Sequence, residues 1–548
     1  MYAPKHLFNR CRGLLAFAFL CGLVLSPVVQ AQEAEFSKQE AGLYSDVFND
    51  NIYYEFTDYL NFANLYRKIT HKKTHAANVN LYDEVPDSTF YTNRHARKRL
   101  SADELSRGAL TGSGPDLSAP LTVISGKSEG LHPGFFVRDS RGDVYLFKFD
   151  PPDNLELTTS AEVIVSRIYH ALGYNVSQST IALVDPSQFK PAPDATFYDH
   201  RGFKSPLKQE DLDELLLFIP YTEDGKLRAS AIKFVEGDIK GPFSFRGRRH
   251  NDPDDLVPHE NRREIRALRV FSSWVNNYDV RRSNTLQALV AENGNPHLKN
   301  YIIDYNASLG AGTHEAKPPM FTYEHMLDYG EAAKAYFSAG FWEKPWQKKW
   351  REAGEKTGSP AVGYFDNRTF DPGKYKVQLP ARAFKSLTHA DAFWAAKIIM
   401  TFSDEDIRTL VKTGQYTSKD DEAEIARVLI ERRDLIGRYW FAKANPLDEF
   451  DLSGGKLIFT DLAVQYAFEK AGNSVYQAEV LGASGKKNSW ITSVESAETA
   501  IAIDPSWFSA NETVQIVLRT ARKGTAKVSP AVTVTLSRDS VQDIIHQD

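Results

Sequence analysis

Two carboxylates and one amide stand at a spacing that suits the chemistry of phosphate groups. Asp279 follows an apolar segment, Asn284 comes five positions later, and Asp304 ends a short apolar run, Tyr301–Ile303. In phosphoryl transfer, one carboxylate orients or deprotonates the attacking hydroxyl, while an amide oxygen and a second carboxylate hold magnesium ions that bridge the phosphates. Asp279 is therefore a candidate catalytic base, and Asn284 and Asp304 are candidate metal ligands.

A lysine upstream lies in a segment whose alternation predicts a strand buried on both faces. Within Val144–Phe149, Lys148 shares one face with aliphatic side chains, and three aromatic residues form the other face. A buried ammonium needs a nearby carboxylate, and Glu162, early in the next predicted helix, is the candidate partner. Thr159–Glu162 also fits a capping box, in which the glutamate only binds the first amides of its helix. Lys148 itself could instead be a surface lysine of an edge strand.

A loop with glycines precedes the lysine strand. Gly126 and Gly130 lie between the first two predicted strands, where glycine lets the backbone approach an anion closely. Their spacing differs from Gly-x-Gly-x-x-Gly, and the Gly-Lys-Ser sequence lacks the preceding glycine of a Walker loop. Both glycines are therefore candidates for nucleotide binding because of their position rather than their motif.

The order Lys148, Glu162, Asp279, Asn284, Asp304 resembles the active-site order of the protein-kinase-like fold, and the Asp279–Asn284 interval equals that of the kinase catalytic loop. The resemblance covers about residues 121 to 441. It is closer to the HipA-type and spore-coat kinase-like proteins than to eukaryotic kinases, and the chain is also similar to a group of exported bacterial proteins of comparable length. Two positions depart from the kinase pattern. Tyr278 replaces the arginine before the aspartate, and Asp304-Tyr305-Asn306 replaces Asp-Phe-Gly.

This resemblance implies ATP as co-substrate and Mg²⁺ or Mn²⁺ as cofactor. Lys148 would anchor the nucleotide phosphates and Glu162 would orient that lysine. Asp279 would be the base or hydroxyl-positioning group, and Asn284 and Asp304 would hold the metal. Glu236, in the predicted hinge, would flank the adenine.

The hydrophobic patterns predict an α+β architecture around these residues. The resemblance implies a two-lobed kinase-like domain, with an antiparallel-sheet N-lobe over 121–237 and a mostly helical C-lobe over 238–448. Alternating strands over 449–548 predict a β-sandwich of fibronectin III or immunoglobulin type. Residues 32–120 are expected to form an extension that packs on this core. The predicted helices are Ser160–Leu172, His259–Asn277, Ala392–Met400, Asp404–Lys412 and Lys419–Phe441.

Composition and charge exclude several classes of protein. The 548 residues are 42% hydrophobic and 25% charged, which is typical of a folded chain of more than one unit. Without Lys5, Arg10 and Arg12 of the first 31 residues, 63 basic and 71 acidic residues remain, a formal charge of −8. This balance argues against a globally basic, nucleic-acid-binding surface.

The first 31 residues have the pattern of a secretory signal peptide. Basic residues precede an apolar run, Leu14–Leu25, and small or apolar residues suit cleavage after Ala31. The alternative is an uncleaved anchor, but a break containing proline ends the run short of the roughly 20 apolar residues that cross a bilayer. Cys11 and Cys21 both fall in this segment, so we expect no disulfide in the mature chain. We expect a periplasmic or secreted protein without a transmembrane segment after cleavage.

Three functions fit these observations. The leading expectation is an exported kinase-like phosphotransferase that uses a metal–nucleotide and acts on an acceptor that the sequence does not identify, such as an envelope protein or a glycan. The alternative is a catalytically inactive kinase-like binding or scaffold protein of the cell envelope, because ATP is expected to be scarce outside the cytoplasm. A third interpretation makes the β-sandwich a carbohydrate- or protein-binding module.

Overall fold

The predicted lysine strand lies inside a seven-stranded sheet. The structure, a computed structural model, describes residues 36–40, 42–62, 66, 70, 73–126, 134–198, 203–292, 294–312, 315–317, 319–354, 357–484, 487–509 and 511–548. The sheet order is β5-β8-β3-β2-β1-β6-β7, antiparallel except for the β1–β6 pair. The first eight strands are β1 Leu121–Gly126, β2 Gly134–Arg138, β3 Val144–Phe149, β4 Asn175–Val176, β5 Ser179–Val184, β6 Phe189–Tyr198, β7 Lys204–Pro206 and β8 Leu227–Lys233.

The helices gather mostly in the second half of the chain. Among them, the buried helix Arg263–Val275 and two helices that pack on it, His389–Met400 and Lys419–Phe441, contribute to one large hydrophobic core. The helices are α1 Leu43–Phe48, α2 Tyr54–Leu60, α3 Ala102–Arg107, α4 Leu157–Leu172, α5 Gln209–Leu216, α6 Arg263–Val275, α7 Tyr329–Phe337, α8 Pro345–Glu352, α9 Arg382–Lys385, α10 His389–Met400, α11 Asp404–Lys412, α12 Lys419–Phe441 and α13 Leu462–Gln465; a π-helical turn, Asn49–Tyr53, joins α1 to α2.

A second, smaller sheet stands at the end of α6. It consists of β9 Asp238–Gly241, β10 Thr285–Glu292 and β11 Asn295–Ile302, with β4 at its edge. The strands β10 and β11 pair in register along eight residues each. The residues between α6 and β10, and those just after β11, therefore lie at the same end of this hairpin.

The C-terminal strands form two sheets that share one hydrophobic core. One has three strands, β12 Leu447–Ser453, β13 Lys456–Asp461 and β16 Ala500–Ala502. The other has five, in the order β15-β14-β17-β18-β19. Their bounds are β14 Ser474–Ser484, β15 Lys487–Ser496, β17 Thr513–Arg522, β18 Val532–Leu536 and β19 Val541–His546.

The early part of the chain is tied to distant elements by buried charges. Asp83 lies 2.7 Å from the Arg263 guanidinium on α6 and 2.8 Å from His546 Nδ1 on β19. Arg263 also contacts Asp391 on α10 at 3.1 Å. Because unpaired buried charges are costly, these contacts fix the segment before α3 against both the helices and the last strand.

The mixed α+β class expected from the sequence is confirmed. The helices Asp404–Lys412 and Lys419–Phe441 have the predicted bounds, whereas α4 begins three residues before the predicted Ser160 and α6 spans only Arg263–Val275. The sequence did not predict β6, β12, β15 or β19, and it predicted a mostly helical region over 238–448, in which the structure also has the strands β9, β10 and β11. Within the described residues, no helix has both the length and the apolarity to cross a membrane.

Candidate functional site

Strand β3 directs Lys148 away from the core of its sheet. Tyr145, Phe147 and Phe149 point into that core and are at most 3% exposed. Because side chains alternate along a strand, Lys148 points to the opposite face, where it is still only 2% exposed. The predicted two-sided burial of this lysine is therefore present.

The helix that carries Glu162 is capped by a residue of the preceding strand region. The Asp150 carboxylate accepts hydrogen bonds from the backbone N–H groups of Glu156, Thr158 and Thr159 at 2.8–2.9 Å, and from both threonine hydroxyls. Because α4 begins at Leu157, Glu162 lies beyond its first turn. The capping-box interpretation of Glu162 is wrong for this reason. Asp150, which the sequence analysis did not single out, holds β3 and α4 together.

Lys148 has two carboxylate neighbours. Its Nζ donates to Asp304 Oδ1 at 2.8 Å and lies 3.9 Å from Glu162 Oε2. Burial disfavours the ammonium, but Asp304 and Glu162 outweigh this effect and raise the pKa of Lys148. Burial raises the pKa of Glu162, which is fully enclosed and accepts a hydrogen bond from Tyr305 N at 2.9 Å. Lys148 therefore stays charged, and Asp304 is its nearer counter-ion.

The loop after α6 is shaped by asparagines. Asn276 ends the helix in the left-handed region with φ 58°, and Asn277 N donates to Ser272 O at 2.9 Å. Asn277 then receives two hydrogen bonds, from Asp279 N to its Oδ1 at 3.1 Å and from Tyr375 Oη to its backbone oxygen at 2.6 Å. The turn that presents Asp279 is thus held by both the helix and a distant tyrosine.

Asp279 and Asn284 are in direct contact. Asn284 Nδ2 donates to Asp279 O at 2.7 Å and to Asp279 Oδ2 at 3.1 Å, and Arg281 lies 3.2 Å from the same carboxylate oxygen. Asp279 Oδ1 is buried and has no hydrogen-bond partner among the described residues. Burial, opposed by Arg281 and reinforced by Asp304, raises the pKa of Asp279 to about 6. This carboxylate can therefore both accept and release a proton near neutral pH.

Asp304 connects the Lys148–Glu162 pair with the Asp279–Asn284 pair. Ile303 N donates to Asn284 O at 3.0 Å, which fixes the end of β11 against the Asp279 loop. The backbone of Asp304 has φ 65°, in the left-handed region. Apart from glycine, asparagine and aspartate, residues seldom adopt this conformation. Its side chain is 28% exposed, whereas that of Lys148 is 3% exposed. Asp304 is therefore the part of the Lys148 pair that solvent and ligands reach.

The donor set of Asn284 and Asp304 fits a magnesium-type ion. Mg²⁺ is usually bound by one or two protein carboxylates together with waters and phosphate oxygens. The NH₂ group of Asn284 is directed at Asp279, so its amide oxygen is turned away from that carboxylate. Within the described part of the chain, no group of three or more His, Cys, Asp or Glu side chains converges. A metal ion at this site would therefore need waters or phosphate oxygens to complete its coordination.

Sequence reasoning missed a second lysine at this site. Lys317 lies over the rings of Tyr278 and Phe321, 4.5 and 3.7 Å from their centroids. Burial lowers the pKa of Lys317, and the charge of Asp279 partly restores it. Lys317 follows Asp304 by 13 positions without a recognisable motif, so only the three-dimensional structure places it beside Asp279.

The remaining predicted residues lie apart from this cluster. Gly126 ends β1 opposite Phe135, and a Cβ at this position would lie 3.0 Å from Phe197 Cβ. Gly130 lies outside the described residues. Glu236 is 82% exposed, 4.0 Å from Lys233, and lines a cavity with residues of the β10–β11 hairpin. Among the described residues, the structure thus joins Lys148, Glu162, Asp279, Asn284 and Asp304, and does not bring Gly126 or Glu236 into contact with them.

Comparison with known proteins adds little to this geometry. The chain matches no protein-family model and no curated protein. Among solved structures, it is similar to the crystal structure of the Helicobacter pylori proinflammatory kinase CtkA, with 10% sequence identity over 60% of this chain and 99% of that chain. The TM-score is 0.32, which does not define corresponding residues.

Proposed function

We propose that this protein is an exported kinase-like phosphotransferase that transfers a phosphoryl group from ATP to a hydroxyl acceptor. The observation that carries the proposal is the meeting of Lys148, Glu162, Asp279, Asn284 and Asp304 from four separate parts of the chain. A lysine with two carboxylates, next to a carboxylate–amide pair, is the set of groups that positions a nucleotide and an attacking hydroxyl.

Each residue has a distinct role in the proposed reaction. Lys148 binds the α- and β-phosphates. Glu162 would keep the Lys148 ammonium in place when Asp304 binds the metal ion instead of the lysine. Asp279 orients the acceptor hydroxyl and takes up its proton, for which a pKa of about 6 is suited. Asp304 and the Asn284 amide oxygen would hold Mg²⁺ or Mn²⁺, which would neutralise charge on the phosphates.

The architecture is part of the same proposal. We assign residues 121–237 to a sheet-based N-lobe, 238–448 to a helical C-lobe and 449–548 to a β-sandwich, with 32–120 as an extension. Gly126 and Gly130 would flank the phosphates and Glu236 the adenine. Cleavage after Ala31 would deliver the protein to the periplasm or the medium, where an envelope protein or a glycan is the acceptor.

The test is a thermal-shift titration of residues 32–548 with ATP, with and without Mg²⁺ or Mn²⁺. A ligand that binds only the native state raises the melting temperature, so we expect a shift that requires metal and is lost in Asp304→Ala. Asp539→Ala, in an exposed turn, is the matched control and should shift like the wild type. An Asp304→Ala protein that retains the metal-dependent shift contradicts the proposal.

A second measurement separates catalysis from binding. We expect Asp279→Asn to bind the metal–nucleotide with a normal thermal shift and to lose ATP turnover, because the base is removed while its shape is kept. If the wild type binds nucleotide but neither transfers nor hydrolyses its terminal phosphate, the scaffold function takes the place of the proposed one.

A further inference from the structure

The helical segment of residues 43–60, which we name the strap, has two unlike faces. Its apolar residues recur every fourth position and point outward, as shown by the exposure of Tyr44 at 91%, Phe48 at 55% and Phe56 at 65%. Its acidic residues recur with the same period, at Asp46, Asp50 and Asp58. An amphipathic helix normally buries its apolar face. The strap instead turns its acidic face toward the protein.

The acidic face lies on four basic side chains, Arg246, Arg282, Arg382 and Lys385, which we name the cationic row. Asp46 lies 3.0 Å from Arg282. Asp58 contacts both Arg382, at 2.5 Å, and Arg246. Glu55 pairs with Lys385, and the Arg246 guanidinium also lies 4.5 Å from the centre of the Tyr54 ring. Asp46, Glu55 and Asp58 of the strap therefore all form ion pairs with the cationic row.

The strap is attached by charge rather than by a core. Among the described residues, none of its side chains belongs to any of the three hydrophobic clusters. In its first half the buried residues that the structure describes are Asp46 and Asn51, both polar, and its second half, α2, has no buried residue. Ion pairs that remain partly exposed to solvent contribute little each, and segments with few buried apolar contacts open at low free energy. The strap can therefore leave the row while the rest of the protein stays folded.

The cationic row adjoins the proposed catalytic loop. Arg282 lies between Asp279 and Asn284 in sequence, and its backbone oxygen accepts from Thr285 Oγ1 at 2.7 Å. A chain bound along the row thus passes beside the loop that carries Asp279. Apart from the strap, Glu260 also approaches the row, 3.5 Å from Arg382. With the strap removed, the row would lose the carboxylates of Asp46, Glu55 and Asp58 as partners, while Arg382 would keep Glu260.

We propose that the cationic row is the docking site for an acidic segment of the acceptor protein, and that the strap occupies this site in cis. The inference rests on the proposed function, because it identifies the class of acceptor for the same catalytic site. An acidic polypeptide would replace the strap by making the same ion pairs, and its hydroxyl-bearing residues would then lie near Asp279. The row thus selects acidic acceptors, and the strap sets how readily they enter.

The test measures binding of a fluorescein-labelled peptide of residues 42–60 to the protein of residues 32–548 by fluorescence anisotropy. The variant Asp46→Asn/Glu55→Gln/Asp58→Asn releases the strap and keeps the row. We expect it to bind the peptide about tenfold more tightly than the wild type does, since an internal competitor has been removed. The variant Glu405→Gln/Glu422→Gln/Glu424→Gln removes three carboxylates from α11 and α12 and should bind like the wild type.

Two further arms test the role of charge. A peptide with the three neutralising changes of the strap variant keeps the aromatic face and should bind at least tenfold more weakly to the released protein. Adding Arg246→Gln, Arg382→Gln and Lys385→Gln to the released protein should remove binding of the unchanged peptide. Hydrogen exchange of residues 43–60 should be faster in the released variant than in the wild type.

Several results would overturn the inference. These are equal peptide binding by released and wild-type proteins, binding that survives loss of the row, and unchanged hydrogen exchange in the strap. In a phosphotransfer assay with dephosphorylated casein, an acidic polypeptide, equal rates with and without the row would also overturn it. If the binding results are as expected but no phosphate is transferred to casein, the docking site is supported and the proposed catalytic function is contradicted.

Discussion

Replacing Lys148 with methionine tests whether the buried cluster is organised by the lysine charge. Methionine keeps an unbranched side chain, one atom shorter, and removes the ammonium that lies 2.8 Å from Asp304 and 3.9 Å from Glu162. Removing one partner of a buried ion pair typically destabilises a protein by about 3–5 kcal/mol. Because the Asp304 side chain is 28% exposed, it regains some hydration, so we expect the lower end of that range, about 3 kcal/mol.

The loss should depend on pH in a definite direction. In the variant, the carboxylate of Glu162 is buried without its cation, so burial raises its pKa in the folded state above the value in the unfolded chain. Such a group binds its proton more tightly when folded, and its destabilising effect is absent below the unfolded pKa and grows as pH rises through it. The Lys148→Met protein should therefore lose more stability at pH 8 than at pH 5.

Urea unfolding followed by tryptophan fluorescence at both pH values measures this effect. Lys226→Met is the matched control, because Lys226 forms a pair with Asp224 at 3.3 Å in which both side chains are about half exposed, and it should lose at most about 1 kcal/mol. Glu162→Gln in the Lys148→Met background should recover part of the loss. A loss no greater than that of the control, or one that is equal at pH 5 and pH 8, would refute the reasoning.

Three other expectations follow from single carboxylates. Asp150→Ala leaves three buried amides without their acceptor and removes the carboxylate that lies 4.0 Å from the buried Arg228 guanidinium, so it should cost about 3–5 kcal/mol in a urea titration; a loss under 1 kcal/mol contradicts the capping role. Phosphotransfer should fall about tenfold from pH 7 to pH 5 as Asp279, with a pKa of about 6, takes up a proton, and a flat pH profile argues against this base. Burial raises the pKa of Asp50 to about 7; Asp46 and Glu55 add to this effect, and Arg246 and Arg282 oppose it. Because the docked strap then binds a proton more tightly than the free strap, docking should weaken as pH rises from about 4 to 7. Asp50→Asn should make hydrogen-exchange protection of residues 43–60 equal at pH 6 and pH 8, and a pH dependence that survives this change excludes Asp50 as its cause.

Structural features that depend on residues close together in the sequence could be predicted from local patterns. The helix Lys419–Phe441 begins after Ser418, whose side chain accepts from Asp421 N, and this cap is readable in the sequence. The Asp279–Asn284 contact could be predicted for the same reason, since five positions separate the two residues in one loop. Strand β3 was predicted from its alternation, although its place in the sheet was not.

Contacts between distant residues could not be predicted in this way. Asp304, the nearest partner of Lys148, is 156 positions away, and the sequence suggested only the closer Glu162. Lys317 and the cationic row are similarly defined by packing rather than by spacing. Strand β6 escaped prediction because it contains Pro191 and Pro193, and proline normally argues against a strand.

The contact between Asp83 and His546 has a consequence for the time course of folding. The two residues are 463 positions apart, so at a synthesis rate of about 5–20 residues per second the ribosome makes the second about 20–90 s after the first. Arg263, the other partner named above, is made 180 positions after Asp83, and β19 does not exist until the end of this interval. The contacts of Asp83 with His546 can therefore form only after β19 has been translated. An incomplete chain would expose this segment to proteases and chaperones throughout that interval.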